Sequence, residues 1–428
     1  MFVGFWVRSI KTGRAACLLL LLAFGHGPGG RFSALTVRTM PRMRIKFFHK
    51  KQEPQRWGAN GRCEKVFLVK QLFFFYSRPL FPLAPFSAKG IAMKPSITAV
   101  VLAAGKGTRM KSARAKVLHE VFFRPMIHHV LLAVKEAGVD RCAVIVGHQR
   151  QEVLRILNSY AITPVVQEEQ LGTGHAVLCA ETACGQADQV MILCGDTPLI
   201  QAATLRAMIA AHLEQQAALT LMTTLLDQPF GYGRILSDEG GNVLAIVEEK
   251  DASEEQRGIR EINAGVYLVE RRFLFEALGR VGTDNSQGEV YLTDIVAIAR
   301  SQGLRVHTFM HPQAIDVLGV NSRIELAQAH ATLQLRRNRD LMLAGVTLYA
   351  PETILVAPDC TVDQDTLVEG NVRISGGSTV GRECRIGSGC VVHACQLGDG
   401  VTVGANSVLH HCSVAAGRTI PPLTHRDG

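Results

Sequence analysis

From Ser96 onward the chain alternates between two kinds of apolar pattern. Ile97-Thr-Ala-Val-Val-Leu102, Cys142-Ala-Val-Ile-Val146 and Val190-Met-Ile-Leu-Cys194 are short, nearly continuous apolar runs that lead into glycine-bearing turns, as strands buried on both faces do. Val165-Val166 opens another. Between them, helical spacing predicts helices over 125–137 (Met126, Ile127, Val130, Leu131 and Val134, stopping near Gly138), 151–157 and 174–183. This order predicts an α/β fold with a doubly wound, mostly parallel, Rossmann-like sheet. Ligands on such sheets bind at the carboxyl ends of the strands, where Gly105, Gly147 and Asp196 fall.

Farther along the pattern changes twice. Residues 322–343 form one long helical pattern whose basic stretch, Arg336-Arg-Asn-Arg339, reads as a solvated helix face. After Pro351 an apolar residue recurs every sixth position: Val356, Val362, Val368, Ile374, Val380, Ile386 and Val392. Five-residue steps reach Leu397 and Val414, and the six-spacing holds at Val403, Leu409 and Ile420. Small residues often follow four positions on, as at Cys360, Thr366, Ser378, Cys384, Cys390 and Ser407. Six residues per face and three faces per turn predict a triangular prism of parallel β, a hexapeptide β-helix of about four coils, apolar residues inward and small ones at the corners. The expected organisation is a prefix at 1–92, an α/β domain at 93–321, a linker helix at 322–346 and the coils at 347–428.

Composition alters this picture mainly at the amino terminus. The net charge of +9 is not spread evenly. Residues 1–92 hold 16 Lys/Arg against two acids, Glu53 and Glu64, whereas the remainder holds 30 basic and 35 acidic groups. The global charge is therefore no argument for a nucleic-acid or membrane-binding role. The prefix also holds both tryptophans and 12 of the 18 phenylalanines. Arg8, Lys11 and Arg14 precede an apolar run at 15–24 that is signal-like but too short to span a bilayer. A signal peptide, an organelle transit segment and a start at Met93 compete as readings; the last is preferred, with a cytoplasmic location. The 11 cysteines include no C-x-x-C pair and read as small buried thiols in a reducing compartment.

The chemistry-bearing segment is Leu102-Ala-Ala-Gly-Lys-Gly-Thr-Arg-Met110. Gly105 and Gly107 let backbone N–H groups approach phosphate oxygens, and Lys106 and Arg109 add positive charge. It is neither a Walker motif nor a dinucleotide fingerprint, and taken alone it is a phosphate-friendly turn. Other segments extend it: Lys116-Val-Leu-His119, Gln167-Glu-Glu-Gln-Leu-Gly-Thr-Gly-His-Ala176, Gly195-Asp196, Gly231-Tyr-Gly-Arg234, Val247-Glu-Glu-Lys250, Glu261-Ile-Asn-Ala-Gly265, Gln287-Gly-Glu-Val-Tyr-Leu-Thr-Asp294 and Gly319-Val-Asn-Ser-Arg323. In this order and spacing they resemble the sugar-nucleotide pyrophosphorylases. The resemblance is greatest to the uridylyltransferase half of the bacterial bifunctional N-acetylglucosamine-1-phosphate uridylyltransferase/glucosamine-1-phosphate acetyltransferase family, and runs from about residue 97 to 420.

That resemblance implies a nucleotidyltransferase domain followed by a left-handed parallel β-helix, UTP and N-acetylglucosamine 1-phosphate as substrates, and Mg²⁺ as cofactor. By position it implies that Leu102, Ala103, Ala104 and Gly105 cradle the nucleotide. Arg109 would steady the leaving phosphates and Lys116 would neutralise charge near the reacting one. Gln167, Gly172 and Thr173 match the uracil readers, and Cys194, Gly195 and Asp196 another wall of the site. Asp196 and Asn321 match the metal ligands; Gly233, Glu248 and Asn263 match the sugar site. His119 and His175 read as packing residues. Two positions depart from the family pattern: Ala115 stands where proline usually precedes the lysine, and Cys194 where tyrosine is common. Acetyl transfer is expected to be absent, because the coils are short against the family's, and they are expected to serve assembly as a homotrimer. Another sugar phosphate or base, residual acetyltransfer, or a non-catalytic regulatory role remain as alternatives.

Overall fold

The computed structural model describes residues 95–139 and 141–428, together with two short paired strands in the prefix, Gly4–Trp6 and Leu22–Phe24. The expectations for the rest of residues 1–92 lie outside the described residues.

A nine-stranded sheet organises the first part. Its strands are β1 (Ile97–Leu102), β2 (Arg141–Val146), β3 (Thr163–Val166), β4 (Gln189–Cys194), β5 (Leu219–Leu225), β6 (Arg234–Ser237), β7 (Val243–Val247), β8 (Glu261–Glu270) and β9 (Val306–Met310). The spatial order β3-β2-β1-β4 is the parallel block that the alternating runs predict. Beyond β4 the sheet turns antiparallel through β8, β6 and β7, with β5 on β8 and β9 parallel to β5, so the sheet is mixed. Both faces of the parallel block are covered, which explains its unbroken apolar runs. Val101 and Leu193 join one core with Ile127, Leu131 and Leu205; their neighbours Val100 and Ile192 join the other with Val177, Leu274 and Ile295. All ten are at most 5% exposed, so neither face tolerates alternate polar residues.

β1 lies between β2 and β4, so successive connections leave it in opposite directions. The crevice at the carboxyl ends of β1 and β4 is the topological switch point of the sheet. Gly195 ties the two ends together: its N–H donates to Leu102 O at 2.9 Å, and a Cβ there would sit 3.0 Å from that same oxygen. On the antiparallel side, β8 changes register between Asn263 and Tyr267, with Gly265 at φ 72. This bulge places Asn263 at the same end as the β1–β4 crevice.

The coils follow the predicted repeat. Three parallel sheets of five, five and four strands form the faces of the prism. Every repeat position from Val356 to Ile420 is buried, and so are Cys360, Thr366, Ser378, Cys384, Cys390 and Ser407 at the corners. The five-residue steps shorten the rise between paired strands from 18 residues (Thr361 opposite Thr379) to 17 (Thr379 opposite Gln396). Cys395 and Cys412, both 1% exposed, take the corner places within those steps, two residues before Leu397 and Val414. The nine cysteines among the described residues are unpaired thiols.

The helix Arg323–Leu343 corrects the reading of its basic stretch. Arg336 donates to Leu199 O at 2.9 Å and pairs with Asp316, both in the sheet domain. Arg337 donates to Cys360 O at 2.6 Å, and Asn338, wholly buried, donates to Pro351 O and Ile354 O at 2.7 and 2.8 Å in the coils. Of the four residues Arg339 alone is exposed. The spacing missed this because one side of the helix faces two partners whose unpaired carbonyls need donors, and polar residues serve that purpose. Among the described residues no helix is long and apolar enough to cross a membrane.

Candidate active site

Two adjoining cavities open at the switch point. One, of about 470 Å³, is lined by Leu102, Ala103, Ala104 and Gly105 from the end of β1, by Lys116, by Gln167, Gly172 and Thr173, and by Cys194 and Asp196. The other, of about 330 Å³, is lined by Arg109, Gly233, Glu248, Asn263 and Asn321. Leu102, Thr173, Cys194 and Asp196 line both, so the cavities meet above the end of β4. Every residue expected in the site is brought to one of them except Gly195, which lies behind as the tie between β1 and β4.

The glycine-rich turn has two different glycines. Gly105 has open space where a Cβ would stand, so its lack of a side chain keeps the first cavity clear. Gly107 is at φ 59, and a Cβ there would meet Lys116 Cβ at 2.5 Å. Lys116 can lie against the turn because position 107 carries no side chain. Ala115 holds φ −54, within the range a proline ring would impose, so the loop keeps that shape without the ring.

Lys116 Nζ pairs with Asp196 and donates to Asn321 Oδ1 at 2.6 Å; Arg109 donates to the same oxygen at 2.8 Å. Asn321 is held in turn by the start of the linker helix. Glu325 accepts from the N–H groups of Asn321 and Ser322, and the Ser322 hydroxyl accepts from Glu325 N–H, forming a capping box. Asp196 and Asn321 therefore reach one cationic nitrogen from two directions with hard oxygen atoms. Such a donor set fits a divalent cation that completes its shell with phosphate oxygens and water. No group of three or more His, Cys, Asp or Glu side chains suited to a metal occurs among the described residues.

Around the cavities the polar groups are anchored. Gln167, 3% exposed, donates through Nε2 to Gly172 O at 3.2 Å and lies 3.1 Å from His175 Nδ1. Gly172 sits at φ 112, and a Cβ there would strike Val290 O at 2.5 Å. On the other side Asn263 Nδ2 donates to Tyr267 Oη at 2.6 Å and its Oδ1 accepts from Gly265 N–H at 2.9 Å. Glu248 accepts from the Thr293 hydroxyl at 3.2 Å; burial raises its carboxyl above the ordinary glutamate value, and the threonine bond opposes that only in part. Desolvation first, then the Asp196 charge, pushes the Cys194 thiol up to about 12. His119 receives Arg323 at 3.2 Å on Nδ1; burial and then that guanidinium lower its pKa. Nε2 of His119 is buried without a hydrogen-bond partner. The structure adds Gln170, Tyr232, Glu289 and Thr293 to the lining. All four lie inside segments quoted above, but no spacing argument singles them out.

Residues 99–279 match the family of MobA-like NTP transferase domains. The protein named bifunctional protein GlmU in Desulfotalea psychrophila is 51% identical over 323 residues, covering 75% of this chain and 95% of that one. The protein of the same name in Pelobacter propionicus is 45% identical over 332 residues, 77% of this chain and 72% of its own length. In Shouchella clausii the figures are 43%, 328 residues, 76% and 72%.

This chain belongs to the GlmU family.

As a member it is a nucleotidyltransferase, from a family that works on a nucleotide and a sugar phosphate with a divalent cation. In this chain two joined cavities share Leu102, Thr173, Cys194 and Asp196, with Lys116 and Asn321 in contact at their junction. GlmU's sheet, with its antiparallel extension, is what brings both cavities to one crevice.

Proposed function

We propose that this protein is a UTP:N-acetylglucosamine-1-phosphate uridylyltransferase that uses Mg²⁺, within the domain division 93–321, 322–346 and 347–428. The observation that carries the reading is the meeting of the two cavities at Asp196, beside Lys116 and Asn321. In this reading the first cavity holds UTP. Gln167 Nε2 is already engaged, which leaves Oε1 as the acceptor for the uracil N3–H. Backbone N–H groups of the 103–107 turn meet the phosphates, Arg109 steadies the β- and γ-phosphates, and Lys116 neutralises charge at the α-phosphate. Asp196 and Asn321 would hold Mg²⁺, which when bound supplies further charge neutralisation at the phosphate oxygens. The second cavity holds the sugar phosphate, with Glu248 and Asn263 on the sugar.

A phosphate oxygen of the sugar attacks the α-phosphorus in line. The new P–O bond forms as the bond to the α–β bridging oxygen breaks, and pyrophosphate leaves with that electron pair. No proton needs to reach the protein, so the site works by positioning and charge rather than by a base. Purified protein is expected to release pyrophosphate with UTP and N-acetylglucosamine 1-phosphate. Equal release with glucose 1-phosphate or dTTP in a substrate panel would sink the assignment.

Glu248 supplies a pH signature. Its raised carboxyl takes up a proton at a higher pH than an ordinary glutamate, near 4.3. The KM for the sugar phosphate should therefore rise as pH falls, beginning above that ordinary range. Glu248→Gln should raise KM about tenfold at neutral pH and remove the acidic limb. Initial rates across a pH series measure both.

We further propose that the coils serve assembly as a homotrimer, without acetyl transfer, in the cytoplasm where UTP is available. The coils' only close ring cluster among the described histidines, His393, His410 and His411, has tilted or edge-on rings with centroids 5.6 to 6.4 Å apart, and His411 Nδ1 lies 3.3 Å from Asp427. Sedimentation should report three chains, and glucosamine 1-phosphate with acetyl-coenzyme A should release no thiol.

A further inference from the structure

Between Lys116 and the helix Met126–Glu136 the chain makes a tight hairpin, Glu120–Val121 against Arg124–Pro125, with Val121 opposite Arg124. Its two turn residues are Phe122 and Phe123, at φ 44 and 69. Two-residue turns with both φ positive favour Asn and Gly, because a bulky side chain is crowded in the left-handed region. Adjacent phenylalanines persist there only where the surroundings hold them.

Each ring is held by a different part of the protein. Phe122 is 2% exposed; its ring meets His330 of the linker helix edge-on at 5.8 Å, and its N–H donates to His330 Nδ1 at 3.2 Å. Phe123 meets Phe122 at 5.2 Å and packs against the apolar core of the coils. The Arg373 guanidinium, on the second tier of that face, lies 4.7 Å over the Phe123 ring. Arg124 faces Asp359 at 3.9 Å. One strained turn thus joins the sheet domain, the linker helix and the coils.

The same segment carries the site lysine at its other end. Leu118 N–H and His119 N–H close onto Ala115 O and Lys116 O at 3.0 and 3.2 Å, and His119 O accepts from Met126 N–H at 3.0 Å, closing the hairpin. Val117, Leu118, His119 and Val121 are all buried, so no slack separates Lys116 from the turn. A shift of the turn has to move the backbone that holds Lys116.

We propose that the Phe122–Phe123 turn is a strut through which the coils set the position of Lys116 for nucleotidyl transfer, an inference that rests on the reading of the site above. Phe123 is a positioning residue, since it lies on the coils rather than in either cavity.

Phe123→Gly tests this without straining the turn, because glycine is at home at φ 69. Lys116 would lose its register while the nucleotide cradle stays intact. The expected result is a kcat about tenfold lower with a KM for UTP changed less than about twofold. Hydrogen exchange at the Leu118 and His119 amides should quicken at least about tenfold, because both close the turn that carries Lys116. Phe123→Tyr keeps a ring beneath Arg373 and should restore both readouts. Unchanged kcat and exchange in Phe123→Gly, with only a lower Tm, would mean a packing contact and overturn the strut. Quickened exchange in a chain whose unaltered form releases no pyrophosphate would support the strut and overturn the reading of the site. Quickened exchange with kcat unchanged in an active chain would overturn the link to Lys116.

Discussion

Asp196→Ala is expected to remove nearly all Mg²⁺-dependent pyrophosphate release, a fall of at least about a thousandfold in kcat. Three roles meet in that side chain. It is the carboxylate among the two oxygen donors at the junction of the cavities, it pairs with Lys116, and it lines both cavities. Without it the lysine keeps, among the described residues, only Asn321 as a partner, and the proposed place for a divalent cation is left with one neutral ligand. The fold should survive, because Val320 N–H is held by the backbone oxygen of residue 196 at 2.8 Å rather than by the carboxylate. An unchanged thermal midpoint with turnover lost is the expected pair of measurements. Retention of more than about a tenth of the turnover would move the metal elsewhere.

The largest expected effect on stability comes from a residue outside the site. Asn338→Asp keeps the shape of the side chain but exchanges its amide for a carboxylate. The amide donates to two carbonyl oxygens, those of Pro351 and Ile354, at 2.7 and 2.8 Å, from a fully buried position. A carboxylate there would set a buried charge against two acceptors. The cost is expected to be about 3–5 kcal/mol, read as a lower urea midpoint at an unchanged m-value. Its sign with pH is fixed. The new carboxyl would have a raised pKa in the folded state, so the deficit is full at neutral pH and shrinks as pH falls and the group protonates. Gln334, which donates to Ile354 O at 2.9 Å, keeps one of the two carbonyls satisfied and limits the loss.

Asn338 also marks where reading along the chain stops. In a helix with three nearby arginines it looks like part of a wet face, because spacing reports what a residue is and not what lies opposite. The buried partners are carbonyls from coils 13 and 16 residues later. Phe122 and Phe123 raise the same difficulty in reverse. Their aromatic side chains suggest core, yet the hairpin turn they occupy is one that sequence rules reserve for Asn and Gly. Gln170, Tyr232, Glu289 and Thr293 were within reach of the motifs, but their place in the lining depends on how β8 bulges and how the Gly172 turn folds.

The prism was legible residue by residue, because each hexad repeats one local solution: an apolar side chain inward, then a small one at the corner. The parallel block was legible as well, since burial on two faces leaves no polar alternation in β1, β2 and β4. The glycines at 105 and 107 were legible as a phosphate turn, for a backbone cradle demands an absent Cβ wherever it occurs. The chain alone therefore determined the parallel block, the long helix, the coils and the residue types suited to a nucleotidyl-transfer site; the elements from Ala202 to Met310 came from the structure. Tertiary structure decided what depends on residues far apart in the chain. It closed the antiparallel side of the sheet so that Glu248 and Asn263 face Asp196. It also turned one helix and one hairpin into contacts between the sheet and the coils. Local propensity acts over a few residues and leaves a periodic trace; a contact between positions 123 and 373 leaves none until the chain is folded.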